Sequence, residues 1–306
     1  MLSGIGEITD AERDAAYHCL LDALSCAFQS LQHSACTRLL GPVVPGATMT
    51  FGARVPGTSF QLDPAQAAFS LGTMIGWLDQ QDAAFATRCG HLADTLGAVL
   101  SVADYQARKA LAEGRAPATV RDVLDALAQA GAAMQTPNEE SQRATAASLD
   151  RCDSARIACA ATVASMLGAS PAQVAHAQRL AAAESRVNGD TVAPPPWWLG
   201  EANARGVRIA LVAKSAPAAD GDPAPAEQSP GAVATSSEQP AALPAQTTPA
   251  VRLDGAVAAG IRDRFSAGVT AHFPPVQAEK IKAACLDRSR LEALPINELV
   301  SLTVRN

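Results

Sequence analysis

The sequence predicts a mainly α-helical protein, and three observations carry that expectation. Apolar residues fill 48% of 306 positions but aromatic ones only 4%, so Ala, Leu and Val must build the core. Such small side chains suit closely packed helices better than a sheet of β-branched strands. Apolar residues also recur at helical spacing along most of the chain before residue 214, with no convincing run of strict alternation. By length alone the chain holds roughly two domains.

Taken in order, Thr9-Asp10-Ala11-Glu12 fits a capping box. Tyr17, Leu20, Leu21, Leu24, Phe28 and Leu31 follow it on one helix face. Gly41-Pro42 and Pro45-Gly46 end that region, and a Gly/Pro/Thr-rich loop runs to about Asp63. Asp63-Pro64 reads as an N-cap with proline at the first helical position. The helix it starts should bury Ala68, Phe69, Leu71, Met74, Ile75 and Leu78. Further helices are expected near 92–112, 119–130, 150–167, 171–185 and 200–214, with Gly168 closing one and Ser170-Pro171 opening the next.

Residues 215–250 differ. Seven prolines and eleven alanines occupy half of these 36 positions, and no aromatic residue is present. Such a segment cannot bury enough apolar surface to offset its ordering entropy, so it is expected to be a disordered linker. Helical pattern returns in Ile261 to Val269, Pro275 to Cys285 and a short piece after Pro295. The expected organisation is therefore 1–214 helical, 215–250 linker and 251–306 a C-terminal helical segment.

A net charge of −6 without a dense basic run argues against nucleic acid as a partner. The longest apolar stretch, Ile157 to Ala169, is too short to span a bilayer, and Met1 to Asp10 lacks the pattern of a secretory signal, so a cytoplasmic location is expected. Seven cysteines without CxxC spacing read as reduced thiols rather than as a metal site or disulfide framework. No metal or cofactor is expected. All but four of the 24 basic residues are arginines, which matters because Lys can exchange a proton and Arg in practice cannot.

The stretch with most chemical content is Trp77-Leu78-Asp79-Gln80-Gln81-Asp82, followed by Cys89-Gly90-His91. Carboxylates three residues apart share a helix face or end. With a nearby histidine they can form an acid/base cluster. The plainer reading is a capped helix end beside a surface histidine. His18, His33, His176 and His272 read as half-buried or solvated side chains, and Trp197-Trp198 as a packing anchor. Neither a Gly-rich phosphate loop nor a serine-nucleophile motif is present.

Several stretches resemble the 2-methylcitrate dehydratases of the MmgE/PrpD family. They include His18-Cys19-Leu20-Leu21-Asp22-Ala23-Leu24, the run from Ala35 to Gly46, Arg54-Val55-Pro56-Gly57-Thr58-Ser59-Phe60-Gln61-Leu62-Asp63-Pro64 and Ala204-Arg205-Gly206-Val207-Arg208. Phe273-Pro274-Pro275-Val276-Gln277 and Asp287 to Glu298 continue the likeness, which covers about 11–214 and 251–305. The resemblance implies a cytosolic, iron–sulfur-independent lyase that removes water from 2-methylcitrate in propionate breakdown. It also implies a large helical domain, a smaller α/β lid domain and a homodimer. Asp79, Asp82 and His91 occupy the family's acidic/His signature and are its expected catalytic residues.

The inheritance is incomplete. By the same resemblance, Ala83 replaces a threonine, Leu92 a proline, and Gly131-Ala132-Ala133-Met134-Gln135 a His-Glu-Ile-Gln-Gly stretch. Arg151 stands for a histidine, Arg156 for a lysine, and Pro194-Pro195-Pro196 for a substrate-facing Arg-Lys-Ser, while Arg186 matches a family arginine. Pro137 should break the helix that relatives continue there. Between about Lys214 and Val251, where relatives carry most of the lid, only the Pro/Ala stretch remains. Two expectations follow. One is a residual lyase in which Asp79, Asp82 and His91 act while Arg88, Arg151 and Arg186 hold a small polycarboxylate. The other, favoured because losing members of a concerted site removes most of its effect, is a non-catalytic helical dimerisation or partner-binding protein.

Overall fold

A computed structural model describes residues 8–79, 90–134, 147–185, 195–216 and 254–305. Helix α1 (Asp10–Ser30) begins on the expected capping box: the Thr9 hydroxyl accepts from Glu12 N at 3.2 Å, and the Glu12 carboxylate accepts from Thr9 N at 2.8 Å. Tyr17, Leu20, Leu21, Leu24 and Phe28 are buried, but so is nearly every other residue from Ala15 to Phe28. Helix α1 is thus covered on all sides, the condition of a central helix.

A short α2 (Ser34–Thr37) follows, and then β1 (Ala53–Arg54) pairs antiparallel with β2 (Gln61–Leu62), Ala53 lying opposite Leu62. This ladder departs from the purely helical expectation for the N-terminal part. Two residues per strand are too few for alternation to register. The loop between the strands depends on Gly57, whose φ is +79° and where a Cβ would run into Leu31.

Helix α3 (Pro64–Asp79) starts as expected, with Asp63 Oδ1 accepting from Ala65 N and Gln66 N, each at 3.1 Å. Ala68, Leu71, Met74, Ile75 and Leu78 are buried, whereas Phe69 is only half-buried. After a 3-10 turn (Gly90–Thr95) come α4 (Leu96–Ala112), α5 (Val120–Met134), α6 (Ala147–Met166), α7 (Pro171–Ser185) and α8 (Trp198–Ser215). Gly168, at φ +75°, closes α6 as foreseen, and Ala169 N returns to Ala164 O at 3.0 Å. The C-terminal part forms α9 (Gly255–His272), α10 (Pro275–Cys285), α11 (Arg288–Ala293) and α12 (Ile296–Thr303). Helix α11 is an addition to the expected set, capped by Asp287 Oδ1 accepting from Arg290 N at 3.1 Å. Nearly all of the expected 215–250 linker lies outside the described residues.

Two cores organise these helices. The larger gathers α1, α3, α4, α5, the start of α8 and α9–α12 and holds the buried aromatics Tyr17, Phe28, Trp77, Trp198, Phe265 and Phe273. The smaller joins α6, α7 and α8 to α3 and α4 through mostly alanine side chains such as Ala68, Ala98, Ala160, Ala164 and Ala210. Small residues let backbones approach closely. At the α3–α8 crossing a Cβ on Gly72 would come within 3.0 Å of Gly200 Cα, and one on Gly200 would strike Thr73 and the Phe69 carbonyl. Helix α9 lies along α1, where Arg264 pairs with buried Asp22 at 2.7 Å. Among the described residues no helix is long and apolar enough to cross a membrane.

Candidate functional site

Helix α3 ends at Asp79, and the 3-10 turn carrying His91 leads into α4. The described residues thus bring the backbones of two predicted catalytic residues to the helix ends around this turn. Their side chains, together with Asp82, Arg88 and Arg186, lie outside the described residues. The predicted break at Pro137 and the Pro194 position lie outside them too.

What fixes the turn is described in detail. Leu92 and Ala93 are buried, and Asp94 is 1% exposed. Asp94 receives a two-pronged hydrogen bond from Arg151 on α6, Nε to Oδ2 at 2.8 Å and Nη2 to Oδ1 at 2.7 Å. Such parallel charge-assisted bonds fix the guanidinium plane as well as its distance. That plane also lies over the Trp198 ring of α8, 5.4 Å from its centroid. The guanidinium that the sequence offers to a substrate carboxylate is therefore paired with one from the protein.

Asn203 on α8 completes the frame. Fully buried, it donates to the Asp94 carbonyl at 2.7 Å and to the Leu199 carbonyl at 2.8 Å, while its Oδ1 accepts from Ala98 N at 2.7 Å. One amide thereby satisfies backbone groups where the 3-10 turn becomes α4, and so offsets the cost of burying them. On the other side Leu92 packs against α5 so tightly that a Cβ on Gly131 would sit 2.8 Å from its Cδ2. Two positions at which the sequence departs from the resembled family are thus in contact.

Neighbouring groups are chemically quiet. Burial pushes the Cys152 thiol up to about 11, and the fully buried Cys159 is raised further. Neither offers a thiolate nucleophile near neutral pH. Arg156 serves α7, bonding Asp153 at 2.6 Å and the Ala181 carbonyl at 3.3 Å. Trp77 Nε1 and Thr73 Oγ1, one turn apart on α3, are buried without a hydrogen-bond partner among the described residues. No group of three His, Cys, Asp or Glu side chains suited to a metal occurs among the described residues.

Sequence reasoning identified Arg151 and treated Trp198 as an anchor, but passed over Asp94 and Asn203. Asp94 had one available signal, its place three residues after His91. Asn203 had another: it is an isolated amide in a helix whose buried positions are otherwise mostly Ala, Leu, Val and Gly.

Comparison with known proteins places these features in context. The family model for the MmgE/PrpD N-terminal domain matches residues 4–242. A 2-methylcitrate dehydratase of Escherichia coli K12 is 41% identical over 208 residues, 66% of this chain and 43% of the relative. Its counterpart in Cupriavidus necator is 40% identical over 211 residues, again 66% of this chain and 43% of the relative. A mitochondrial 2-methylcitrate dehydratase of Yarrowia lipolytica is 37% identical over 214 residues, 66% of this chain and 40% of the relative. The chain therefore spans about two-fifths of the length of these relatives.

Proposed function

The chain belongs to the MmgE/PrpD family, and on that premise we propose that it derives from a 2-methylcitrate dehydratase whose elimination of water is impaired or lost. The reaction takes 2-methylcitrate to 2-methyl-cis-aconitate. It needs a base for the proton beside a carboxylate, an acid for the departing hydroxyl, and cations to hold the substrate. Asp79, Asp82 and His91 are the residues this chain would use for proton transfer, with Arg88 and Arg186 as cationic arms. A cytoplasmic setting, no cofactor and a homodimer belong to the same reading.

The observation that carries it is the Asp94–Arg151 pair. Where the resemblance calls for a histidine, the chain places a permanent cation, and that cation grips a carboxylate in the very turn that bears His91. Arginine clamps but does not relay a proton. Leu92 against Gly131 supports the reading further, because a leucine packs beside a glycine at the position the resemblance gives to a histidine.

The alternative, a non-catalytic dimerisation or partner-binding protein, draws on a different feature. Val43, Val44 and Phe51 stand 81%, 65% and 48% exposed on the loop before β1. Turnover of 2-methylcitrate, then of citrate, by the folded, monodisperse chain tests the reading, with His91→Ala as the control. The expected outcome is no turnover above that control; robust turnover lost in His91→Ala would defeat the proposal.

A further inference from the structure

Near the start of α3, at the end of that helix away from the His91 turn, a cleft of about 380 Å³ opens between the β1–β2 loop, the C-terminal end of α1 and the residues after α12. Its apolar wall is Leu31, Leu40 and Phe60. The Phe60 ring is held in place by close packing on Gly41, where a Cβ would lie 2.9 Å from Cζ. The polar side is Ser59, His272 and Arg305.

Two backbone hydrogen bonds tie the chain's last residues to the β1–β2 loop: Gly57 N donates to Thr303 O at 2.6 Å, and Arg305 N to Thr58 O at 3.0 Å. They bring the exposed Arg305 side chain to the cleft, where it enters no ion pair among the described residues. His272 is engaged instead. Its Nε2–H donates to Gly57 O at 2.9 Å, and its ring stacks on Phe28 with 4° between planes. Burial, against that hydrogen bond and with help from the nearby Arg305 charge, holds the imidazole below its ordinary range, so it is neutral at pH 7. Among the described residues, Arg305 is then the one cation lining the cleft.

A pocket near the lower end of the small-ligand range, with an apolar wall and a single cation, matches one class of molecule. A polyanion would need more donors than this. We propose that the cleft binds a small monocarboxylate with an unbranched apolar tail, its carboxylate on the Arg305 guanidinium and its tail along Leu31, Leu40 and Phe60. Ser59, exposed at the rim, supplies a hydroxyl to the same carboxylate.

Calorimetric titration of the whole chain at pH 7 with hexanoate, and separately with hexan-1-ol, tests this. Saturable hexanoate binding is expected. Arg305→Gln should weaken it by roughly tenfold or more, the usual worth of a charge-assisted hydrogen bond. Arg305→Lys, which keeps the charge, should stay within a few-fold of the native protein. Hexan-1-ol should bind no more tightly than hexanoate binds Arg305→Gln. Because Arg305 is exposed, both variants should fold normally by circular dichroism. Absence of saturable binding to the native chain, or unchanged affinity in Arg305→Gln, would overturn the proposal. Displacement of hexanoate from the cleft by lower concentrations of citrate would overturn it as well.

Discussion

Asp94 and Asp104 lie ten residues apart, one in the 3-10 turn before α4 and the other within α4, and each is buried against an arginine from elsewhere in the chain. Their surroundings differ. Asp104 takes three hydrogen bonds from Arg54, through its backbone N, Nε and Nη2. That arginine reaches onward to Ser301 Oγ at 2.5 Å and Asn297 O at 2.7 Å, so one side chain binds β1, α4 and α12 together. Asp94 takes two bonds from a more exposed arginine, and its backbone carbonyl is held by Asn203. The first pair fastens scaffold to scaffold. The second fastens scaffold to the turn that carries His91. A buried ion pair stabilises little compared with apolar packing, but removing one member is costly. Similar chemistry thus has different consequences at the two ends: rigidity serves the Asp104 end, whereas under the proposed function the same rigidity at the Asp94 end ties up a group beside the turn assigned to proton transfer.

Variants of the two ends should rank accordingly. Asp104→Asn should destabilise most, by about 3–5 kcal/mol in urea unfolding, because the largely buried guanidinium of Arg54 loses its fully buried counter-charge. Asp94→Asn should cost less, about 1.5–3 kcal/mol, since the more exposed Arg151 can turn toward water. Equal losses would erase the distinction drawn here. Gly200→Ala overpacks the α3–α8 crossing beneath the site and should cost about 1–3 kcal/mol in the same assay.

The smallest effect concerns pH and the scaffold end. Because burial lowers the His272 pKa below the ordinary imidazole value of about 6.5, its contribution is complete above that pH. It is lost as pH falls through the lower folded value, where the unfolded chain takes up the proton more readily. Between pH 7.5 and 5, the melting temperature of the native chain should fall more than that of His272→Gln. Parallel curves would show that His272 carries no such linkage.

What could be read from the sequence was mostly local. Thr9 with Glu12, Asp63 with Pro64, and Gly168 specify helix ends through hydrogen bonds or backbone angles a few residues apart, and each does so in the structure. Helix α11 escaped because six residues hold too little periodicity. The β1–β2 ladder escaped because two-residue strands hold none. At the candidate site, resemblance supplied His91 and Arg151, but the partner of Arg151 lies 57 positions away in sequence. Such a pairing leaves no mark on local pattern: either residue alone reads as a solvated charge. Asn203 stands out locally as an isolated amide, but its partner does not, because the turn it joins to α8 lies 109 positions earlier.

The role of Arg151 is where the account is most exposed. Arg151→Ala can be examined by urea unfolding and, in parallel, by calorimetric titration with 2-methylcitrate. A clamp predicts a clear loss of stability with no change in whatever affinity the native chain shows. Undiminished stability with weakened 2-methylcitrate binding would contradict it, and would make Arg151 a substrate arm in a working site.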